Sequence, residues 1–184
     1  MNMREMNLPN KLTCIRVVMI PFFVVFMMNS TRSNGSQWIA LAIFVIASLT
    51  DWLDGYLARK DNLVTVFGKF MDPLADKLLV CSALICFVEL GRLSAWIVII
   101  IISREFIISG IRLIAADNGV VIAASYFGKA KTVAQMVMII LLIADLGAAF
   151  VIIEGIFIYA SLILTIVSLV DYIIKNKKVL NMQN

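Results

Sequence analysis

The sequence contains no histidine, and it has little cysteine, proline or charge of either sign. Among its 184 residues are three Cys and three Pro, and charged residues make up 15%. Without histidine, serine–histidine catalysis, histidine metal ligands and phosphohistidine intermediates are excluded, so a general base must be chiefly Asp, Glu or Lys. Cys14, Cys81 and Cys86 lie in apolar stretches without zinc-ligand spacing, which predicts small core residues.

What the sequence has in excess is apolar residues. They make up 62% of the chain and raise the mean hydropathy to +0.99, whereas about half of the residues in an ordinary soluble domain are apolar. Several apolar stretches approach or reach the roughly 20 residues with which a helix crosses a bilayer. We therefore predict an all-α integral membrane protein that is embedded in membrane lipid.

Polar breaks divide the chain into six predicted transmembrane helices, preceded by a short N-terminal interfacial helix that ends at Pro9. The predicted spans cover residues 12–28, 38–59, 69–90, 95–117, 129–146 and 156–174. The apolar run from Trp38 to Thr50 is too short to span alone, so its helix must continue to Arg59. No repeat or domain boundary is visible, which favours a single membrane domain over residues 1–184.

The basic residues predict the orientation of these helices. Six spans place both termini on one side, and that side collects fourteen of the sixteen Lys and Arg residues, with only Arg32 and Arg92 opposite. The positive-inside rule makes this side cytoplasmic. The same distribution explains the net charge of +4 without nucleic acid as a partner. We predict a multi-pass protein of the plasma membrane, with the active site and both termini in the cytoplasm.

Four carboxylates stand where the second and third predicted helices meet. Asp51 and Asp54 are three residues apart, and Asp72 and Asp76 are four apart, so each pair shares a helix face. Close carboxylates at a membrane boundary need protons or cations to offset their repulsion, and Mg²⁺ and Mn²⁺ prefer oxygen ligands. The residues alone thus predict a site for one or two divalent cations, with interfacial salt bridges to nearby Lys and Arg as the alternative.

The spacing of this segment resembles the signature of the CDP-alcohol phosphotransferase family. All eight positions of the pattern are present, in the form Asp51-x2-Asp54-Gly55-x2-Ala58-Arg59-x8-Gly68-x3-Asp72-x3-Asp76. Further segments resemble the bacterial branch of that family that uses glycerol 3-phosphate as acceptor. These segments are Pro9-Asn10-x-Leu12-Thr13-x2-Arg16, Ser103-Arg104-Glu105 with Ser109-Gly110-x-Arg112, and Gly128-Lys129-x-Lys131-Thr132.

The resemblance implies an enzyme that transfers the phosphatidyl group of CDP-diacylglycerol to sn-glycerol 3-phosphate and releases CMP. It implies two divalent cations, Mg²⁺ or Mn²⁺, with Asp51, Asp54, Asp72 and Asp76 as ligands, and it implies a homodimer. Asp76 is also expected to act as the general base on the acceptor hydroxyl.

The substrate contacts are expected in two groups. The CDP-diacylglycerol contacts that follow from the resemblance are Asn10, Thr13, Gly55, Ala58, Arg59 and Thr65. The basic residues available on the cytoplasmic side for the acceptor phosphate are Arg104, Arg112, Lys129 and Lys131. Anchoring by anionic lipid is the alternative explanation for this second group.

Two other functions remain open at this point. The same chemistry could use serine, an inositol phosphate or phosphatidylglycerol as acceptor, although the basic residues favour a phosphorylated acceptor over serine. A cation transporter could use the four aspartates as its ion site. That function leaves Gly55, Ala58 and the cytoplasmic Arg and Lys residues unexplained.

Overall fold

The structure is a computed structural model that describes residues 8–30, 35–60, 66–117, 119, 122–123 and 125–177. Within these ranges it describes all side chains except those of residues 8–12, 51–60, 66–73, 76 and 117. The regular structure in the described ranges is entirely helical, as predicted. The helices are α1 (Leu8–Met28), α2 (Ser36–Lys60), α3 (Val66–Glu89), α4 (Ala95–Asp117), α5 (Tyr126–Ala144) and α6 (Val151–Lys175), with a 3-10 turn at Ala148–Phe150.

Two predicted helices have the expected extent. α2 continues beyond its apolar run to Lys60, and α4 spans Ala95–Asp117. The prediction that an interfacial helix ends at Pro9 is wrong. The helix α1 already begins at Leu8 and contains Pro9 in its first turn. A proline is tolerated there because the first helical positions need no backbone donor. Residues 1–7 lie outside the described part of the chain.

Three helices begin earlier than expected. α3 begins at Val66 and α6 at Val151, so Gly68 and Gly155 lie inside helices rather than in the preceding loops. α5 begins at Tyr126 because the Ser125 hydroxyl accepts a hydrogen bond from the Gly128 amide at 3.1 Å, which satisfies one of the unpaired donors of the first turn.

The helices form two compact units, Met1–Leu90 and Gly91–Asn184. In the first unit α1 packs against both α2 and α3, which contact each other less extensively. In the second unit α5 packs along α6, and α4 also packs against α6. The first unit therefore carries the aspartate motif, and the second carries the basic residues that were predicted to contact the acceptor.

Small residues line the interior of the first unit. Ala40 and Ala47 on α2 and Ala75 and Ala83 on α3 are completely buried, and residues of this size allow membrane helices to approach closely. Larger side chains fill the remaining space, as where the rings of Phe23 and Phe44 pack with centroids 5.8 Å apart. These alanines leave little room for a larger side chain in the interior.

One turn of α2 in this interior is held by polar side chains. Arg16 of α1 is only 1% exposed, and its Nε donates to the Ala47 carbonyl at 3.2 Å. The Thr50 hydroxyl donates to the same carbonyl at 2.7 Å, and the Ser48 hydroxyl donates to the Phe44 carbonyl at 2.8 Å. These bonds fix the turn that immediately precedes Asp51.

The outer surface of the helices is apolar. Two helices in the described ranges are long and apolar enough to cross a membrane, Tyr126–Ala144 and Ala148–Lys175, and Thr13–Met28 and Ser36–Thr50 are shorter apolar stretches. Many large apolar side chains point outward, including Ile152, Ile156 and Ile163 of α6. An apolar exterior of this extent suits a lipid environment, which makes a membrane protein plausible.

A leucine at position 40 should destabilise the protein. Ala40 is completely buried, whereas Ala42 lies on the exposed face of the same helix. Overpacking a close helix contact costs about 1–3 kcal/mol, so we expect Ala40→Leu to lower the free energy of unfolding by that amount. Ala42→Leu is the matched control and should leave it nearly unchanged. Denaturant unfolding in detergent, followed by circular dichroism, measures both; equal stability of the two variants would contradict the packing described.

Candidate active site

The aspartate motif lies at the end of one helix and the beginning of the next. Asp51 and Asp54 belong to the last part of α2, and Asp72 and Asp76 belong to the first part of α3. Five residues, 61–65, connect Lys60 to Val66, so the two helix ends are at most about 20 Å apart along the chain. The side chains of the four aspartates lie outside those described, and the metal site stays a prediction.

The backbone register relates the motif positions to the buried residues that the structure describes on both helices. On α2 every third or fourth residue from Gln37 to Ala47 is buried. With about 100° per residue, positions 51, 54 and 58 fall within about 40° of Ala47. On α3, positions 72 and 76 fall within about 60° of the buried Leu79. The helical prediction for each aspartate pair is thereby confirmed at the level of the backbone.

The donor chemistry of these four positions fits a divalent cation. Carboxylate oxygens are the ligands that Mg²⁺ and Mn²⁺ prefer, and two pairs on two helices supply enough of them for a shared site. Elsewhere, the described side chains form no cluster of three or more Asp, Glu or Cys residues that could hold a metal.

The predicted CDP-diacylglycerol contacts are described only in part. Asn10, Gly55, Ala58 and Arg59 belong to α1 and α2, but their side chains are not among those described, and Thr65 lies outside the described residues altogether. Thr13 is described and is buried on α1, one turn before Arg16. These contacts therefore stay predictions.

The second unit brings Arg104 and Lys131 together through a shared carboxylate. Glu105 Oε1 accepts a hydrogen bond from Arg104 Nη1 at 2.9 Å and forms an ion pair with Lys131 Nζ. Arg104 is 8% exposed and Lys131 is 2% exposed. On its other edge Arg104 donates from Nε to the Ser168 hydroxyl at 3.1 Å. Helices α4, α5 and α6 thus hold a triad of two buried cations and one partly buried carboxylate, with one net positive charge.

The other two predicted acceptor contacts are exposed. Arg112 lies two turns beyond Arg104 on α4, and its guanidinium carbon is 5.7 Å from the centroid of the Tyr172 ring. Lys129 lies on an exposed face of α5. The structure therefore joins Arg104 and Lys131 through Glu105 and brings Arg112 into contact with α6, whereas Lys129 stays a prediction from its charge.

A row of buried polar side chains on α6, here called the polar stripe, was not predicted from the sequence. Ser161, Thr165, Ser168 and Tyr172 are all buried and recur at intervals of three or four residues, which puts them on one helix face. This spacing inside an otherwise apolar helix is the signal that identifies them, because a buried polar face in a membrane helix lines a polar interior or a binding site.

Some polar atoms of this interior lack a partner. Gln135 Nε2, Ser161 Oγ, Asp171 Oδ2 and Tyr172 Oη are buried and form no hydrogen bond with any residue that the structure describes. Buried polar groups are nearly always bonded in folded proteins. The interior of the second unit is therefore equipped to bond water or a polar ligand.

Known proteins resemble this chain over most of its length. The sequence model of the CDP-alcohol phosphatidyltransferase family matches residues 6–167. A CDP-diacylglycerol–glycerol-3-phosphate 3-phosphatidyltransferase of Bacillus subtilis is 50% identical over an alignment of 143 residues that covers 72% of this chain and 74% of the relative. An enzyme of the same name from Haemophilus influenzae is 44% identical over 174 residues, 92% of each chain. A probable phosphatidylglycerophosphate synthase of Mycobacterium tuberculosis is 39% identical over 171 residues, 92% of this chain and 81% of the relative.

Loss of the Glu105 charge should destabilise the second unit. Glu105→Gln leaves the buried Lys131 and Arg104 without their carboxylate, and breaking one side of a buried ion pair costs about 3–5 kcal/mol. The matched control is Lys175→Gln, which breaks the Asp171 pair at a lysine whose side chain is 61% exposed and should cost less than about 1 kcal/mol. Denaturant titration of both variants compares these costs. A Glu105→Gln protein as stable as the control would refute the buried triad.

Proposed function

The chain belongs to the CDP-alcohol phosphatidyltransferase family, and from that membership we propose its reaction. It transfers the phosphatidyl group of CDP-diacylglycerol to sn-glycerol 3-phosphate, which yields phosphatidylglycerophosphate and CMP in phospholipid biosynthesis. The observation that carries this proposal is the complete eight-position motif on α2 and α3, in a chain whose relatives bear the name of that activity.

Members of this family generally use divalent metal ions. In this chain Asp51, Asp54, Asp72 and Asp76 would hold two of them, Mg²⁺ or Mn²⁺. Bound cations offset the negative charge of the diphosphate and of the departing CMP. The support for this assignment is the backbone register, in which the aspartate pairs follow the helical spacing of the buried residues Ala47 and Leu79 on consecutive helices.

Asp76 acts as the general base in this proposal. Its carboxylate takes the proton of the acceptor hydroxyl while the hydroxyl oxygen bonds to the phosphorus that bears diacylglycerol. The bond from that phosphorus to the oxygen of the CMP group breaks in the same in-line step, and CMP leaves. A positioned base of this kind accelerates such a transfer by about 10²–10⁴-fold.

The two substrates bind to different residues. The donor nucleotide contacts Asn10, Thr13, Gly55, Ala58, Arg59 and Thr65. The acceptor phosphate binds to the basic residues of the second unit, Arg104, Arg112, Lys129 and Lys131, and chiefly to Arg112 and Lys131. The support is the positive charge of the triad and the planar guanidinium groups, which match the oxygens of a phosphate.

The apolar helices and the family indicate a membrane protein. We propose that all six helices span the plasma membrane, with the aspartate motif and both termini on the cytoplasmic side. The distribution of basic residues supports this orientation. Residues 1–184 would act as one functional domain, since a single family model matches residues of both units, and the active form would be a homodimer.

Removal of the proposed base should abolish turnover. We expect Asp76→Asn to reduce CMP release by about 10²–10⁴-fold, since the neutral amide cannot accept the acceptor proton. Asp61→Asn, outside the motif, is the matched control and should keep the wild-type rate. Chelation with EDTA should also stop CMP release, and excess Mg²⁺ should restore it. A wild-type rate in Asp76→Asn would remove that residue from the base role.

Loss of the Arg112 guanidinium should weaken acceptor binding selectively. Hydrogen bonds to charged groups contribute about 1.5–3 kcal/mol, so Arg112→Ala should raise the KM for glycerol 3-phosphate by about tenfold or more. The KM for CDP-diacylglycerol should change little. Lys177→Ala, at an exposed position beyond α6, should change neither constant. An unchanged acceptor KM in Arg112→Ala would remove this arginine from the site.

A further inference from the structure

Tyr172 is a buried polar residue without a role in the reaction described above. It lies near the C-terminal end of α6 and is 2% exposed. Its hydroxyl forms no hydrogen bond within the described part of the chain. Because a buried tyrosine hydroxyl usually has a partner, this one is suited to bond a group that the helices do not supply.

Two contacts locate Tyr172 among the basic residues of the second unit. The Arg112 guanidinium carbon lies 5.7 Å from its ring centroid. One turn earlier on the same face of α6, the Ser168 hydroxyl accepts a hydrogen bond from Arg104. This face of α6 therefore contacts both arginines that α4 contributes to the predicted acceptor site.

The charges near this face favour an anion. Four cations occur in the described contacts of this region, Arg104, Arg112, Lys131 and Lys175, against the two carboxylates Glu105 and Asp171. The sum is a net charge of +2. Both carboxylates are already engaged in ion pairs, Glu105 with two cations and Asp171 with Lys175 at 2.7 Å. A phosphate dianion would complete the neutralisation of this region.

We propose that Tyr172 is an acceptor-binding residue. Its hydroxyl donates a hydrogen bond to the phosphate of glycerol 3-phosphate, and its ring holds the Arg112 guanidinium that binds the same phosphate. This inference rests on the proposed function, because it requires a phosphorylated acceptor. A hydroxyl that donates to an anion forms a strong, charge-assisted bond, and a guanidinium stacked on a ring keeps its N–H groups free at the edge for the phosphate.

The exposure of Arg112 allows the phosphate to reach this hydroxyl. Arg112 is exposed, and exposed side chains change rotamer within picoseconds to nanoseconds. A shift of this one side chain can admit the phosphate without a movement of α4 or α6. After the phosphate has entered, the guanidinium rests on the Tyr172 ring again.

Two substitutions separate the roles of the hydroxyl and the ring. Tyr172→Phe removes only the hydroxyl, and Tyr172→Leu removes the ring as well. The matched control is Tyr159→Phe, since Tyr159 lies on the same helix with 59% of its surface exposed. The readouts are kcat and the acceptor KM in CMP release, and the Kd for glycerol 3-phosphate from thermal stabilisation in neutral detergent without CDP-diacylglycerol.

We expect Tyr172→Phe to raise the acceptor KM and the Kd about tenfold while kcat stays near the wild-type value. Tyr172→Leu should raise both by a further factor of about three, because Arg112 loses its ring contact. Tyr159→Phe should leave all three values unchanged. This separation of KM from kcat is not expected of a residue with a purely structural role.

Several results would overturn the assignment. Wild-type KM and Kd in Tyr172→Phe would exclude the hydroxyl from acceptor binding. Identical effects of Tyr172→Phe and Tyr172→Leu would exclude a role of the ring in acceptor binding. If Tyr172→Leu does not fold, Arg112→Lys tests the same ring contact, since lysine keeps the charge and loses the planar face.

The phosphate could also belong to a lipid headgroup, so stabilisation by phosphatidylglycerol is measured in parallel. If Tyr172→Phe loses only that stabilisation and binds glycerol 3-phosphate normally, the hydroxyl serves a lipid and the proposal is wrong. A wild-type protein that releases no CMP with glycerol 3-phosphate contradicts the proposed function. The Kd of Tyr172→Phe then still decides the role of the hydroxyl.

Discussion

Charge inside an apolar helix bundle must be neutralised, and this constraint governs both units of the protein. In the second unit the carboxylate of Glu105 neutralises part of the charge of Arg104 and Lys131, and the shared contact ties three helices together. Without such pairing, each buried charge would cost several kcal/mol. That ion pair holds Arg104 and Lys131 in place, and the polar stripe of α6 contacts Arg104 and Arg112.

The two units differ in the charged residues of their predicted sites. The first unit carries the four aspartates of the motif on α2 and α3, and carboxylate groups attract divalent cations. The second unit has an excess of positive charge, which attracts phosphate directly. In the proposed reaction donor and acceptor are both anionic phosphate compounds, so the acidic motif would need metal ions to bind one, whereas the basic residues would bind the other without them.

The sequence predicted those features that depend on local pattern. The short apolar run before Asp51 required α2 to continue through the motif, and the polar breaks around α4 defined its ends. The ends of other helices depend on local interactions, such as a capping hydrogen bond, that the positions of polar residues in the sequence do not reveal. Ser125 caps α5 earlier than the basic residues suggested, and Pro9 begins a long helix because a proline is compatible with a first turn.

The contacts of the basic residues could not be predicted from the spacing of these residues along the sequence. Glu105 and Lys131 are 26 positions apart, and Arg104 and Ser168 are 64 apart, so only the packing of α4, α5 and α6 determines that they meet. The same is true of Arg112 and Tyr172. Composition indicated which residues carry positive charge, and the fold determines which of them share a carboxylate and which rests on an aromatic ring.

The central claim is the identity of the acceptor, and CMP release by the purified protein tests it most directly. The protein in detergent, with CDP-diacylglycerol and Mg²⁺, is given sn-glycerol 3-phosphate, serine or inositol 1-phosphate in separate reactions. We predict CMP release with glycerol 3-phosphate alone. Release with another acceptor would keep the family chemistry and contradict the proposed substrate, whereas the absence of release with every acceptor would contradict the transferase function itself.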